Sequence, residues 1–340
     1  MTATQPIRGV DHFRLGLVFA VASALSFGMS GPLAKALMNA GWSPTGAVTA
    51  RMAVGAVAMA VFAFIVRPGW IREAIAHRRT VIAYGLFPIA GAQLCYYNAV
   101  AHLSVGVALL LEYTAPVLVV GWLWVTTRRR PTNLTLAGVA LAVAGIMLVL
   151  DVFAGAHINA AGVAWGLAAA VCAASYFMMS DEVSADSSEE GSLHSITLAA
   201  GGLIIGATTT GALGVLGVMP LTFTTNDTVV AGLTMSPVIP VIALGVITTA
   251  IAYTLGIMGI ARLRPRFASL VGLSEVMFAV LAAWLLLGQA VTLTQAVGGA
   301  VVLVGLALAR QGDRGEKVDA ATWPDGGAVA DLTPCSRANG

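Results

Sequence analysis

Residues 132–150 read TNLTLAGVALAVAGIMLVL, nineteen positions without a charge, preceded by Arg128-Arg129-Arg130-Pro131. About 20 apolar residues in an α-helix cross the hydrocarbon core of a bilayer, so this stretch reads as a transmembrane helix. Residues 292–310, 160 positions further on, read TLTQAVGGAVVLVGLALAR. Gly138 falls on Gly298 and Gly145 on Gly305. Carrying the same offset back lays residues 81–148 on 241–308, with 17 identities in 68 ungapped positions. Chance gives roughly one match in ten in so Ala-, Val-, Leu- and Gly-rich a background, so the chain repeats itself. Trp124 falls on Trp284, and Val81-Ile82-Ala83 on Val241-Ile242-Ala243.

Working outward, the whole chain has this character. It is 58% hydrophobic and 10% charged, against about 25% charged in a soluble domain. A soluble protein of this length lacks the polar coat it needs, and a bilayer removes the contradiction. Ten apolar windows follow one another, at about 15–37, 45–66, 81–101, 104–126, 132–150, 161–180, 194–217, 236–260, 266–287 and 292–310. Ser43-Pro44 supplies N-cap and first residue of the second helix, and Pro265 opens the ninth. Pro32, Pro88 and Pro116 fall inside spans, where they kink or locally unwind a helix. Beyond Arg310 the chain is polar and unpatterned, which predicts a disordered tail over 311–340. Cys95, Cys172 and Cys335 form neither a disulfide framework nor a C-x-x-C pair, and read as small packing residues.

Basic residues set the topology. With the N-terminus (1–14) in the cytoplasm, 16 of the 18 Lys and Arg fall on inside segments, the pattern of the positive-inside rule. Lys35 and Arg51 are the exceptions and flank the first outside loop. The inside loop from Asp181 to Glu190 is acidic and does not bear on the rule. Both termini are therefore expected inside, and a net charge of +2 says nothing about nucleic acid. The repeat carries this further. His102-Leu103-Ser104-Val105-Gly106 lies on Arg262-Leu263-Arg264-Pro265-Arg266, and Arg128-Arg129-Arg130 on Gly288-Gln289-Ala290. Equivalent loops thus carry opposite basic loading. The expectation is an all-α polytopic membrane protein of ten helices in two inverted five-helix repeats, 15–150 and 161–310, the plan of a rocking transporter with a midplane site.

Two carboxylates lie deep in spans. Glu112 is about eight residues into the fourth helix, about 12 Å from its outer end, and Glu275 is about nine residues into the ninth, which runs the other way. The offset pairs Glu275 with Ala115, one helical turn from Glu112. A midplane carboxylate costs roughly 2.5–3.5 kcal/mol even on the lenient insertion scale, so two of them call for a reason. One reason is a site for a substrate ammonium or a proton; the plainer one is a structural carboxylate held by Tyr or Ser. Gln93, Tyr96, Tyr97 and Asn98 on the third helix, Ser175 and Tyr176 on the sixth, Thr248, Thr249 and Tyr253 on the eighth, and Tyr113 and Ser274 beside the glutamates complete a polar set. Interhelical hydrogen bonding explains any one of them, while their concentration on five helices favours a shared wet cavity. Lys35 and Arg51 are candidate outer-face contacts for a carboxylate, or snorkelling interfacial charges. The alternatives to transport are a passive channel, a membrane sensor, or an intramembrane serine protease using Gly28-Met29-Ser30-Gly31. No histidine falls convincingly within a later span to serve that serine. The sequence shows no Walker motif and no metal-ligand cluster, and no cofactor is expected.

The run Val105-Gly106-Val107-Ala108-Leu109-Leu110-Leu111-Glu112-Tyr113-Thr114-Ala115-Pro116 resembles the fourth helix of threonine/homoserine exporters in the EamA group of the drug/metabolite transporter superfamily. Ser274-Glu275-Val276 resembles that family's Met-Glu-Pro segment, with the proline replaced. Gly162-x-x-Trp165 through Tyr176 resembles the opening helix of a second EamA unit, and Gly16 through Gly28 that of the first. The resemblance covers about 15–310. It implies a secondary transporter of the bacterial inner membrane without an ATP-binding module, exporting amino acids or similar small polar metabolites; proton coupling is an expectation from the buried glutamates, whose carboxyls are inexpensive to bury when protonated.

Overall fold

The computed structural model describes residues 7–128, 130–149, 159–186, 193–260 and 265–321. Among the described residues ten apolar helical segments follow in order: α1 (Ile7–Gly28, continued by Ser30–Asn39), α2 (Pro44–Val66), α3 (Arg78–Tyr84, Gly85–Gly91 and Ala92–His102), α4 (Val105–Glu112 and Ala115–Thr127), α5 (Asn133–Val149), α6 (Ala160–Asp186), α7 (Ser195–Val215), α8 (Val238–Ile242, Ala243–Ile251 and Ala252–Ile260), α9 (Pro265–Leu287) and α10 (Leu293–Ala321). Each apolar window of the sequence has become one of them. The protein is an all-α polytopic membrane protein. Five segments are long and apolar enough to cross a bilayer, Arg14–Asn39, Pro44–Val66, Val105–Thr126, Ile196–Val215 and Val238–Gly256, with shorter apolar helices among the others. Apolar side chains such as Val57, Ile65, Val125 and Trp284 stand exposed on their outer surfaces, as lipid-facing groups do.

Departures from regular helix follow the prolines. Proline has no N–H to give the carbonyl four residues earlier. Pro32 thus frees the Gly28 carbonyl, and α1 breaks at Met29; Pro116 frees that of Glu112, and α4 breaks at Tyr113-Thr114. Around Pro88 the chain winds as a π-helix over Gly85–Gly91. A second π-helix, Ala243–Ile251, occupies the equivalent place in α8 without a proline. There Thr248 and Thr249 both donate side-chain hydrogen bonds to the Leu244 carbonyl, at 2.8 and 2.9 Å. In contrast, α9 runs unbroken through Glu275, because Val276 keeps its N–H. Ser43 accepts from Gly46 N at 3.0 Å, and Pro44 opens α2, as the sequence predicts.

The two halves interlock. α5 packs along α10, α2 on α7, α1 on α8 and α9, and α6 on α3 and α4, so every pairing has its mirror in the other half. The α5–α10 crossing shows the symmetry residue by residue. A Cβ on Gly138 would strike Gly305 O and Ala309 N, and one on Gly145 would strike Gly298 O and Val302 N. Gly138 matches Gly298 in the repeat and Gly145 matches Gly305, so equivalent glycines exchange partners across an antiparallel crossing. That is the isologous contact of a two-fold axis perpendicular to the helices, hence of inverted repeats.

Connections between helices act as straps. A short helix, Trp70–Ala76, lies between α2 and α3, and its Glu73 accepts from His194 N and, at 2.9 Å, from Thr197 Oγ1 at the start of α7. The α7–α8 connection does the same for α2: Ser43 N donates to Thr222 O at 3.1 Å, and Thr222 N donates to Ser43 Oγ at 2.9 Å. It also forms a two-stranded antiparallel hairpin, β1 (Thr228–Val230) and β2 (Leu233–Met235), turning at Ala231-Gly232 with φ of 53° and 74°. The windows leave both straps as plain loops. α10 continues to Ala321, so residues 311–321 are helical rather than disordered. Nothing between Arg310 and Ala321 is a proline, and the first one beyond is Pro324.

Candidate functional site

Glu112 is the last residue of the first segment of α4, its carbonyl released by Pro116. It is partly exposed and accepts no hydrogen bond from any described group. Glu275 on α9 is paired, since Tyr113 Oη donates to its Oε2 at 2.7 Å. The charges of Glu112, Glu275 and Arg51 act on one another and on Tyr96, so these groups share one electrostatic neighbourhood. α1 closes against it: a Cβ on Gly28 would lie 3.1 Å from Glu275 O, and one on Gly31 would strike Tyr96 Oη.

Arg51 is the hub, contrary to the expectation that it stands at the outer face. It lies seven residues past Pro44, about 10 Å down α2, and is 4% exposed. Its Nε donates to Thr249 Oγ1 at 3.0 Å, and Nη2 donates to Thr248 O at 3.2 Å, both on the π-helix of α8. Its Nη1 has Ser30 Oγ at 2.7 Å, Tyr97 Oη at 3.2 Å and Gln93 Oε1 within reach. A π-helix leaves carbonyls and hydroxyls turned aside from the regular ladder, which is why α8 has acceptors to offer. Lys35 is not a free outer-face cation either: half-buried, it donates to Val100 O at 2.6 Å and Ala101 O at 3.1 Å, capping the negative end of α3.

The other sequence candidates divide. Tyr96 and Tyr97 are buried at 4% and 0% exposure, with rings edge-on at 5.7 Å, and Gln93 joins them through Arg51. Asn98 turns away, its Nδ2 bonding Leu94 O of its own helix at 2.8 Å. Tyr253 packs edge-on to Phe27 at 5.1 Å, and Ser274 is half-buried beside Glu275. The side chain of Tyr176 lies outside the described residues. Cys95 and Cys172 meet between α3 and α6, near Glu112. Ser30, read in the sequence only as the serine of a protease tetrapeptide, has Tyr97 and Arg51 as partners. Among the described residues it has a phenol and a guanidinium beside it rather than an imidazole, and neither is a base that would activate it. The sequence held one signal for Arg51, namely its depth in a span, measured as for Glu112.

The chain is similar to known proteins over most of its length. A crystal structure of another protein superposes with a TM-score of 0.58 at 20% identity, covering 90% of this chain and 99% of that one, which shows the fold. The chain is 28% identical over 287 residues to the threonine/homoserine exporter RhtA of Salmonella typhimurium, covering 81% of this chain and 84% of the relative. It is 26% identical over 301 residues to RhtA of Escherichia coli, covering 86% and 90%. It is 23% identical to the uncharacterized inner membrane transporter YicL of Salmonella typhimurium, covering 87% and 95%. The model of the EamA-like transporter family matches twice, over residues 14–151 and 160–311. A two-fold interlocked helical membrane protein with a polar cluster at the centre of its spans, matched in both halves, belongs to the EamA-like transporter family.

Proposed function

We propose that this membrane transporter exports amino acids or closely similar small polar metabolites across the bacterial inner membrane in exchange for protons, with Glu112 as the coupling residue. The observation that carries the proposal is the contrast between the two deep carboxylates. Glu275 has Tyr113 as a partner, and Glu112 has none among the described groups. A carboxyl at that depth is inexpensive when protonated and expensive when ionised and alone. It therefore holds either a proton or a cation such as an α-ammonium group. The two partners exclude each other, so exchanging them as the repeats rock gives antiport without further machinery. The repeats divide at about 150–161, both termini face the cytoplasm, and the path runs between the halves beside Glu112. The names of the exporter relatives favour amino acids over other metabolites.

Glu112→Gln keeps size and most hydrogen-bonding capacity and removes only the titration. The variant is expected to insert normally yet lose at least about 100-fold of the amino-acid flux driven by a proton gradient in proteoliposomes. Glu275→Gln, which keeps an acceptor for Tyr113, is expected to have the milder effect. Full gradient-driven flux through correctly inserted Glu112→Gln protein would rule the proposal out.

A further inference from the structure

We propose that Arg51 is the carboxylate-binding residue of the transport site, so that the substrate is dipolar, its carboxylate on Arg51 and its ammonium on Glu112. This deepens the reading above and rests on it. Three observations support it.

First, Arg51 is a buried cation with no anionic partner among the described residues. Every described partner of its guanidinium is neutral: Ser30, Gln93, Tyr97, Thr249 and the Thr248 carbonyl. Neither Glu112 nor Glu275 forms an ion pair with it, although both lie within reach of its charge. A buried charge is normally paired, because hydrogen bonds to neutral groups only partly replace its hydration. A cation kept apart from two nearby carboxylates leaves both charges for a dipolar ligand to pair.

Second, the donors have room for a carboxylate. Nη1 carries two N–H groups and has three neutral oxygens in reach, so one acceptor is already surplus. Nη2 gives one N–H to Thr248 O, and its second has no partner among the described residues. A carboxylate displacing the Gln93 amide would take one N–H from each Nη nitrogen, the fork that guanidinium favours.

Third, the helix crossing does not need a charge. α2 and α7 are equivalent elements. Gly55 of α2 meets Thr249 and Gly245 of α8, and Gly206 of α7 meets Ile89 of α3. Thr249 matches Ile89 at the 160-residue offset of the repeat, so Gly55 matches Gly206. Four residues earlier on each helix, Arg51 therefore matches Gly202. Gly202 packs on Ile89 and Tyr84, and among the described residues that twin contact involves no charged group. A purely structural role would leave the presence of arginine on one side of the pseudo-symmetry unexplained.

The test uses two probes that differ only in the carboxylate, L-threonine and 1-amino-2-propanol, in counterflow into proteoliposomes of the full chain. Wild-type protein is expected to take threonine at least about tenfold better in kcat/KM, since a site built for a polar group discriminates against an analogue lacking it. Arg51→Gln is expected to abolish that preference, lowering threonine flux at least about tenfold and leaving the amine within about twofold. Arg51→Lys is expected to recover part of it, and Glu112→Gln to depress both probes. An equal loss of both probes in Arg51→Gln, or a preference that survives the substitution, overturns the assignment of Arg51 and leaves the transport reading standing. If wild-type protein carries neither probe, the transport reading falls and this one with it. Should Arg51→Gln fail to insert, competition in wild type decides: an amine that inhibits threonine counterflow as strongly as threonine itself overturns the proposal.

Discussion

Glu73 and His194 hold the first turn of α7. The His194 amide and the Thr197 hydroxyl donate to the Glu73 carboxylate, and His194 Nδ1 accepts from Ile196 N at 3.2 Å. A carboxylate at a helix N-terminus meets unsatisfied N–H groups and the positive end of the dipole. Glu73→Ala is therefore expected to lower stability by about 0.5–2 kcal/mol, read as a lower midpoint of thermal unfolding in detergent. A pH dependence accompanies this. Burial, and after it the Arg67 guanidinium, hold the His194 pKa below its ordinary 6.5, against the opposing pull of Glu73. The folded state thus favours the neutral ring, the form whose Nδ1 can accept. This contribution is complete above the unfolded pKa and is lost as pH falls through the lowered folded one. Amide exchange at Ile196, corrected for its intrinsic rate, should quicken on acidification below the ordinary histidine range. His194→Asn, a cap that does not titrate, should remove the effect; the same acid response in that variant would assign it elsewhere. Residues of this kind were illegible in the sequence. A glutamate and a histidine 121 positions apart carry no mutual signal, whereas Glu112 and Glu275 announced themselves through the cost of charge at depth. Arg51 carried the same signal, but its nearness to the loop end suggested snorkelling, and only its acceptors on α1, α3 and α8 place it at the centre.

Among the elements, spans were legible because the bilayer allows no other structure, and breaks were legible where a proline makes them. The π-helix of α8 was not, since it has no proline and its two threonines supply the acceptor chemistry locally. The straps were not legible either, because their bonds run to helix ends far along the chain. The glycines of α5 and α10 are the best test of the packing. Without water as competitor, close van der Waals contact drives helix association in membranes. Gly138 lets the backbones of α5 and α10 touch, and a methyl there would meet Ala309 N and Gly305 O, backbone atoms that cannot rotate away. Gly138→Ala should destabilise the protein by about 1–3 kcal/mol. Gly121→Ala is the control, having nothing within 4 Å of the added carbon, and should be neutral. Equal melting temperatures for the two variants would mean that the crossing is looser than its glycines suggest.

At the scale of the whole molecule, the inverted repeat makes a prediction that no single helix can. Asn159 precedes α6 and Gly312 lies past the apolar part of α10. Five spans separate them, and an odd number of crossings puts them on opposite sides of the membrane. The positive-inside bias predicts which side is which: with Arg310, Arg314 and Lys317 around it, position 312 is expected in the cytoplasm and 159 outside. In a variant lacking Cys95, Cys172 and Cys335, cysteine at 159 should react with an impermeant thiol reagent in intact cells, and cysteine at 312 only after permeabilisation. The outcomes separate two physical claims. If both sites react from one side, the number of crossings is even and the five-helix repeat is wrong, whatever the family. If 312 reacts outside and 159 inside, the repeat stands and the charge rule has been overridden. Export would then have to run against the present assignment of Glu112's depth, because the outer end from which that depth is measured would face the cytoplasm.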